Sequence, residues 1–220
     1  MQTPQDFYSE YNIMPMLQLH QLRVAAIAKM ICENFGKPLD TESVILACLF
    51  HDMGNIIKSD LAYFPDSTEP EGLAHWELVK KEFVKKYGHD HHGATAKIAK
   101  EIGLPRRVID LLSDIGYSNI GRIVSGDDIE QKIAEYADTR VGPHGVLSLK
   151  GRLAEGKERY QDTRMKRPYY ETDEGFEKLA EAAHELERQV FENATITPEN
   201  ITEAAIAPDL EKLREYVVFP

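Results

Sequence analysis

The chain has 220 residues, with 37 Asp and Glu against 26 Lys and Arg, so its formal net charge is -11 at pH 7. This length suits one domain with a substantial core, and so acidic a chain is not expected to bind nucleic acid or other polyanions in general. No apolar run reaches the length of a membrane span, and the N-terminus lacks the basic and apolar regions of a secretory signal. We therefore expect a cytoplasmic protein that does not bind membranes.

Apolar residues recur at helical spacing and no stretch alternates as a strand does, which predicts an all-α multi-helix bundle. We expect one domain over residues 1–220, with a motif-bearing core at about 16–160 and a C-terminal helical extension at about 161–220. Helices are expected near residues 15–35, 41–53, 71–87, 92–103, 105–115, 128–141, 146–160, 172–192 and 208–216. The apolar stripe of the helix near 172–192 is expected to pack on the core, with self-association as the alternative. Cys32 and Cys48 lie on apolar helical faces and are predicted to be buried free thiols.

The first long predicted helix carries a histidine on its apolar side. His20 is followed at helical spacing by the apolar residues Val24, Ile27, Ala28 and Ile31. Its side chain is therefore expected to point toward the core. Arg23 lies one turn further along, on the side of the helix that is closest to His20.

The second predicted helix ends in the most informative stretch of the chain, residues 48–55, which read CLFHDMGN. An apolar run over residues 44–50 predicts a buried helix, with Thr41 or Ser43 as its N-cap and Gly54 as a stop signal. His51 and Asp52 then emerge at the edge of a core, where burial costs roughly several kcal/mol unless partners or a metal compensate. The pair is a candidate metal site, and a polar helix end is the alternative.

The segment that follows the His-Asp pair breaks the helical pattern. Residues 60–72 contain two prolines and many polar residues, which predict a loop. An ordinary connection is the favoured interpretation, although Tyr63 or Phe64 on such a loop could stack on a nucleotide base. His75 begins the next amphipathic helix and is assigned a core or surface role rather than metal binding.

A late carboxylate lies inside the predicted helix near residues 128–141. Asp138 borders an apolar stripe formed by Ile129, Ile133, Ala137 and Val141. A metal at His51 and Asp52 needs further ligands, and His20 and Asp138 are the positions that fit. Two imidazoles and two carboxylates form a mixed nitrogen and oxygen site suited to manganese, iron, nickel, cobalt, zinc or magnesium.

A helical His, a His-Asp pair at a helix end and a late helical Asp, in this order, resemble the HD superfamily of metal-dependent phosphohydrolases. The local sequences HxxRVA from His20, HDMGN from His51 and YADxRV from Tyr136 are similar to its motifs, and the resemblance covers roughly residues 16–160. It implies that four residues bind one divalent metal, namely His20, His51, Asp52 and Asp138. Such a metal polarises a phosphoryl oxygen and lowers the pKa of bound water. The resemblance therefore implies hydrolysis of a small phosphomonoester or phosphodiester, with nucleotides among the candidate substrates and Asp52 as a catalytic residue that could also orient the attacking water.

Some members of this superfamily bind two metals, and residues 89–94, which read HDHHGA, raise this question for the chain. His89 occupies a position similar to the additional histidine of the dinuclear branch. That branch usually supplies another histidine at the end of the next helix, whereas residues 110–117 contain none. We therefore do not expect a stable second metal. His89 and His92 are retained as additional candidate ligands, while His91 and His92 could also cap the following helix or face the pocket.

A phosphate substrate needs local positive charge on so acidic a chain. The best candidates for a phosphate clamp are Arg23, Lys58 and Arg140, and Arg23 is also a candidate catalytic residue. A salt bridge is an equally supported interpretation for Lys58 and Arg140, and a less favoured one for Arg23. Basic residues at 150–167 alternate with acidic ones and predict a solvated helix face and a loop, with a lesser hypothesis that Arg152 lies near the pocket mouth.

Two alternatives to a hydrolase remain open. Some superfamily members use two irons to activate oxygen, and the missing histidine near Asp114 argues against such an oxygenase. The other alternative is a ligand-binding or regulatory module without catalysis, against which the complete set of candidate ligands counts. The substrate and the native metal are set by pocket walls and metal supply, which the sequence does not determine.

Overall fold

A computed structural model describes residues 2–161 and 173–219, and this part of the chain is mostly helical. Its α-helices are α1 Pro4–Glu10, α2 Pro15–Glu33, α3 Thr41–Phe50, α4 Leu73–Tyr87, α5 His91–Ile102, α6 Arg106–Asp114, α7 Ile120–Ser125, α8 Ile129–Thr139, α9 Leu149–Gln161, α10 Asp173–Phe191 and α11 Glu203–Arg214. Strands β1 Val141–Gly142 and β2 Gly145–Val146 form a small antiparallel hairpin. The prediction of an all-α fold is confirmed. Among the described residues, no helix combines the length and the apolar content needed to cross a bilayer.

Each predicted helix occurs, and the largest displacement is at the start of the last one. Helix α11 begins at Glu203 rather than near residue 208, because Thr202 Oγ1 accepts a hydrogen bond from Ala205 N at 3.1 Å and caps an earlier first turn. Pro208 lies within this helix and not at its start. The sequence pattern does not predict α1 and α7, which have 7 and 6 residues and so show about two turns of periodicity or fewer.

Helix α2 lies at the centre of the fold. It packs against α3, α8 and α11, while α3 also packs against α6 and α8. Side chains at these contacts are fully buried, among them Leu22, Ile27, Leu49, Phe50 and Tyr136. Cys32 and Cys48 are buried free thiols, as predicted. Because α2, α3 and α8 pack together, polar residues at their adjoining faces meet at one place.

Helix α3 is capped by Asp40, whose Oδ1 accepts a hydrogen bond from Ser43 N at 3.1 Å. This corrects the expectation that Thr41 or Ser43 is the cap. The carboxylate lies one residue before the helix and satisfies a first-turn N–H. The run from Ser43 to Phe50 is buried throughout, so the chain leaves α3 from inside the core.

Gly54 holds the turn after α3 against α5. The helix ends at Phe50, so Gly54 is not its stop signal. Instead Gly54 N donates to Thr95 Oγ1 at 2.9 Å, and a Cβ at position 54 would lie 2.8 Å from Ala94 Cβ and 2.9 Å from Thr95 N. Any larger residue would push α5 away from the turn that carries His51 and Asp52.

The helices after residue 172 pack back onto the earlier ones. Helix α10 contacts α7, α8 and α9, and α11 contacts α1 and α2. Ala183, Leu186 and Val190 of α10 are fully buried, so its apolar stripe packs on the core as expected. The assignment of residues 1–220 to one domain stays a prediction.

Candidate metal centre and its cavity

Three helices bring the four predicted metal ligands together. His20 comes from α2, His51 and Asp52 follow α3, and Asp138 comes from α8. Ligand atoms of His20, His51 and Asp52 all lie within 4.8 Å of one another. Asp138 Oδ1 lies 3.0 Å from His20 Nε2 and 3.3 Å from His51 Nε2. Residues separated by 118 positions in the sequence therefore share one site.

The imidazole of His51 is oriented by the backbone of α3. Because a carbonyl oxygen only accepts hydrogen bonds, the 2.8 Å contact between Nδ1 and Cys48 O makes Nδ1 the donor. The other nitrogen, Nε2, is buried and has no hydrogen-bond partner within the described residues, although it lies 3.3 Å from Asp138 Oδ1 and 3.8 Å from Asp52 Oδ1. An unsatisfied buried nitrogen costs about 1–3 kcal/mol. An imidazole that is fixed by one nitrogen and directs the other toward carboxylates is the usual arrangement of a metal ligand, so these residues fit a divalent metal.

Both carboxylates of the cluster are held in their ionised form. Burial raises the pKa of Asp138, but the hydrogen bond with His20 and the close imidazole of His51 outweigh it and hold this pKa well below its ordinary value. Burial also opposes ionisation of Asp52, yet the charges of His51 and Lys58 lower its pKa. For His51, burial lowers the pKa, but the charges of Asp52 and Asp138 raise it to about 9. The carboxylate oxygens are thus ready to bind a cation at neutral pH.

Gln21, which follows His20 on α2, fixes the backbone of the His-Asp pair. Its Oε1 accepts a hydrogen bond from Asp52 N at 3.1 Å, and its side chain is fully buried. Sequence reasoning did not find this residue. A buried glutamine beside a candidate ligand is a signal only when its position on the helix face is known.

A cavity of about 360 Å³ opens above the cluster. His20, Asp52 and Asp138 line it, and Phe64, Tyr117, His91 and His92 form further parts of its wall. Its apolar wall includes Met14, Met16, Leu17, Leu61 and Ile115. This volume and this mixture of apolar and polar groups suit a small organic ligand.

Two of the three predicted phosphate-binding cations line the cavity. Lys58 is exposed there and forms no ion pair with any described residue. Arg23 also lines it, but its Nε donates to Glu203 Oε1 at 2.7 Å, so the salt bridge that the sequence disfavoured does form. The charge that Arg23 presents to a ligand is therefore partly neutralised by Glu203.

Arg140 does not line the cavity, which corrects its assignment to the phosphate clamp. Its side chain is 2% exposed and donates to carbonyl oxygens of Leu147, Pro198 and Ile201 and to Tyr136 Oη. Leu147 lies in the segment before α9, and Pro198 and Ile201 lie in the segment before α11. The guanidinium of Arg140 therefore joins these segments and is not available to a substrate.

The histidines near the start of α5 differ in whether they face the cavity, and the prediction did not separate them correctly. His89 is exposed and does not line the cavity, whereas His91 and His92 line it with their rings 4.0 Å apart. Asp90 caps α5 by accepting from His92 N at 3.1 Å, so the helix begins at His91 and turns both rings inward. Burial, then the charge of Lys58, lowers the pKa of His91 to about 4, and the same causes lower that of His92. Whether these residues hold a second metal stays untested, as does the expectation of a single metal.

Sequence reasoning also missed Glu135, a fully buried residue of α8. Its Oε2 accepts a hydrogen bond from Gly116 N at 2.7 Å, while its Oε1 has no partner among the described residues. Gly116 belongs to the cavity wall. The spacing of three residues between Glu135 and Asp138 places both on one helix face and was the available signal.

We expect Glu135→Gln to remove a pH-dependent part of the stability of the metal-free protein. Burial, and next the charge of Asp138, raises the pKa of Glu135 from 4.5 to about 8, against the opposing influence of the Gly116 N–H and His51. When the pKa of a group is higher in the folded state than in the unfolded state, the group contributes its full stability below its unfolded-state pKa. This stability is lost as the pH rises through the folded-state pKa. The wild type should therefore lose about 3 kcal/mol of unfolding free energy from this group between about pH 5 and 8, and the variant should not.

Urea unfolding of both proteins across this pH range measures the difference. The raised pKa of His51 changes the stability of both proteins in the same direction as pH rises. Only the difference between their two curves of unfolding free energy against pH therefore measures the contribution of Glu135. Parallel curves would contradict the prediction.

Comparison with known families gives one match. A family model described as HD domain matches residues 18–141, a range that contains His20, His51, Asp52 and Asp138. Searches of curated proteins and of solved structures found no match.

Proposed function

This chain belongs to the HD domain family, and from that premise we propose that it is a metal-dependent phosphohydrolase that cleaves a small phosphomonoester or phosphodiester. The observation that carries the proposal is the unpartnered Nε2 of His51, which faces the ionised carboxylates of Asp52 and Asp138 beneath a ligand-sized cavity.

The metal would be held by His20, His51, Asp52 and Asp138. A bound divalent metal supplies polarisation of a phosphoryl oxygen and a lowered pKa for bound water. The identity of this metal is open, since the donor set suits manganese, iron, nickel, cobalt, zinc and magnesium.

Asp52 lies where a carboxylate can orient an attacking water molecule. It lines the cavity, its backbone is held by Gln21, and its lowered pKa keeps Oδ1 and Oδ2 free of protons at neutral pH. An ionised carboxylate oxygen accepts a hydrogen bond from water and can take up its proton as the water attacks.

Lys58 supplies the positive charge that a phosphate group needs. Lys58 lines the same cavity as Asp52, His91 and His92, and its charge lowers the pKa of each of these three side chains. Because no described carboxylate pairs with Lys58, its charge is left for phosphoryl oxygens. His91, with a pKa of about 4, is neutral at pH 7 and offers a hydrogen bond without a charge.

The residues of the cavity wall indicate which kind of substrate could bind. Phe64 lines the cavity and packs edge-on against Tyr63 with ring centroids 4.7 Å apart, so the loop predicted at 60–72 contributes an aromatic ring to the cavity wall. An aromatic ring in the wall can stack on a base, which supports a nucleotide among the candidate substrates.

Phosphate release by metal-stripped protein tests the proposal. Samples reconstituted separately with manganese, iron, cobalt, nickel, zinc or magnesium would be assayed against nucleoside monophosphates, sugar phosphates and small phosphodiesters. We expect release that requires one or more of these metals. Absence of turnover with every metal, in protein shown to bind one, would overturn the hydrolase proposal and favour an oxygenase or a non-catalytic module.

A further inference from the structure

The second group of cations in the cavity lies on one face of α9. Arg152 and Arg159 both line the cavity, although the acidic and basic residues of this region predicted a solvated helix face. Their side chains are only 21% and 15% exposed. The spacing of residues 152, 155, 156 and 159 places them on the same side of the helix. Three other basic residues of that predicted face and loop lie outside the described residues, namely Arg164, Lys166 and Arg167.

A single carboxylate bridges the two arginines. Glu155 Oε2 accepts from Arg152 Nη1 at 2.7 Å, and Glu155 Oε1 lies 2.8 Å from Arg159 Nε. Because Glu155 divides one negative charge between two guanidiniums, Arg152 keeps part of its positive charge. Its Nε is buried and has no hydrogen-bond partner within the described residues. Arg152 therefore holds an unused donor in a place where donors are normally satisfied.

Gly156 makes room for this guanidinium. A Cβ at position 156 would lie 3.2 Å from Arg152 Nη1, so a larger residue would crowd the side chain where it lies along α9. Arg152 also borders, together with Asp138, a small cavity of about 20 Å³ beside the main one. The guanidinium is thus close to the metal cluster and open to the cavity that holds Lys58.

We propose that Arg152 and Arg159 form a second anion subsite, and that the substrate is a small phosphoester with a second anionic group, either a phosphate or a carboxylate. This inference rests on the proposed phosphohydrolase function. Lys58 and the metal cluster bind the phosphate that is cleaved, and the arginines bind the other anion. Without substrate, Glu155 accepts a hydrogen bond from Arg152 Nη1, as a carboxylate that stands in for that anion.

Two matched pairs of compounds test the subsite. Adenosine 5′-monophosphate is compared with adenosine 3′,5′-bisphosphate, and glycerol 3-phosphate with 3-phosphoglycerate, so that the second anion is a phosphate in one pair and a carboxylate in the other. We expect the wild type to prefer the doubly anionic member of at least one pair in kcat/KM, and that pair identifies the second anion. Equal values within both pairs would overturn the proposal.

Two variants with opposite expected effects on binding distinguish an anion subsite from an ion pair that only stabilises the helix. Arg152→Met keeps an apolar stem and should weaken binding of the doubly anionic compound about 10–100-fold, while the singly anionic compound changes little. Glu155→Gln removes the competing charge and should strengthen binding of the same compound several-fold. Lys58→Met should weaken both members of each pair alike. Equal losses for both members with Arg152→Met, or weaker binding with Glu155→Gln, would assign these residues to helix stability alone.

Calorimetric titration of the metal-free protein with the same four compounds measures binding without turnover. Selective binding that depends on Arg152, in a protein that hydrolyses nothing, would retain the subsite and reject the hydrolase. Turnover without selectivity would retain the hydrolase and reject the subsite.

Discussion

Replacement of Asp52 by alanine is expected to lower the rate of metal-dependent phosphate release at least about 10³-fold while leaving the fold intact. Asp52 is one of the residues that would hold the metal and the one placed to accept a proton from water. Its carboxylate lies 3.5 Å from His20 Nε2 and 3.8 Å from His51 Nε2, so its loss also removes a charge that a cation would need. We therefore expect bound metal to fall together with activity.

Metal content, phosphate release and circular dichroism measured on the same samples check this expectation. Asp127→Ala provides the control, because Asp127 is an exposed carboxylate just before α8 that does not line the cavity. It should keep wild-type metal content and wild-type rate. An Asp52→Ala protein that binds metal and hydrolyses phosphoesters at the wild-type rate would remove Asp52 from the proposed mechanism.

Arg140→Met should destabilise the folded protein by about 3–5 kcal/mol, the second large effect that the structure indicates. Arg140 donates to Ile201 O at 3.1 Å and to Pro198 O at 3.3 Å, and Tyr136 Oη, which accepts from Arg140, donates in turn to Glu187 Oε2 at 2.7 Å. Methionine fills similar space but leaves these buried acceptors without a donor. The substitution therefore weakens the contacts that join α8 to the segments before α9 and α11.

Urea unfolding measures the effect, with Arg106→Met as the matched control. Arg106 is exposed and pairs with Asp110 within one helix, so its loss should change the free energy of unfolding by less than about 0.5 kcal/mol. Below the unfolding transition, Arg140→Met should keep the wild-type KM, because its guanidinium does not reach the cavity. Unchanged stability together with a raised KM would return Arg140 to the phosphate clamp.

Residue periodicity was sufficient to predict the helices that carry the site. The apolar faces of α2, α3 and α8 are visible in the sequence because each repeats at helical spacing over several turns. The same periodicity placed His20 and Asp138 beside apolar stripes, and the order of the motifs grouped them with His51 and Asp52. The structure brings all four together, and their role as metal ligands is the proposal that metal analysis will test.

Only the tertiary structure decided which charged residues face the cavity. Arg140 and Arg152 both follow the last candidate ligand and look alike in sequence, yet one is buried against residues up to 61 positions away and the other lines the cavity. Likewise the cap at Asp90 turned His91 and His92 inward and left His89 outside.

The spacing of apolar residues predicts which side of a helix faces the core. The partner of a polar side chain, in contrast, depends on which distant segments of the chain pack beside it. The motifs in the sequence alone therefore determined the family and the candidate ligands, while packing between distant segments decided the cations, the cavity wall and the raised pKa of Glu135.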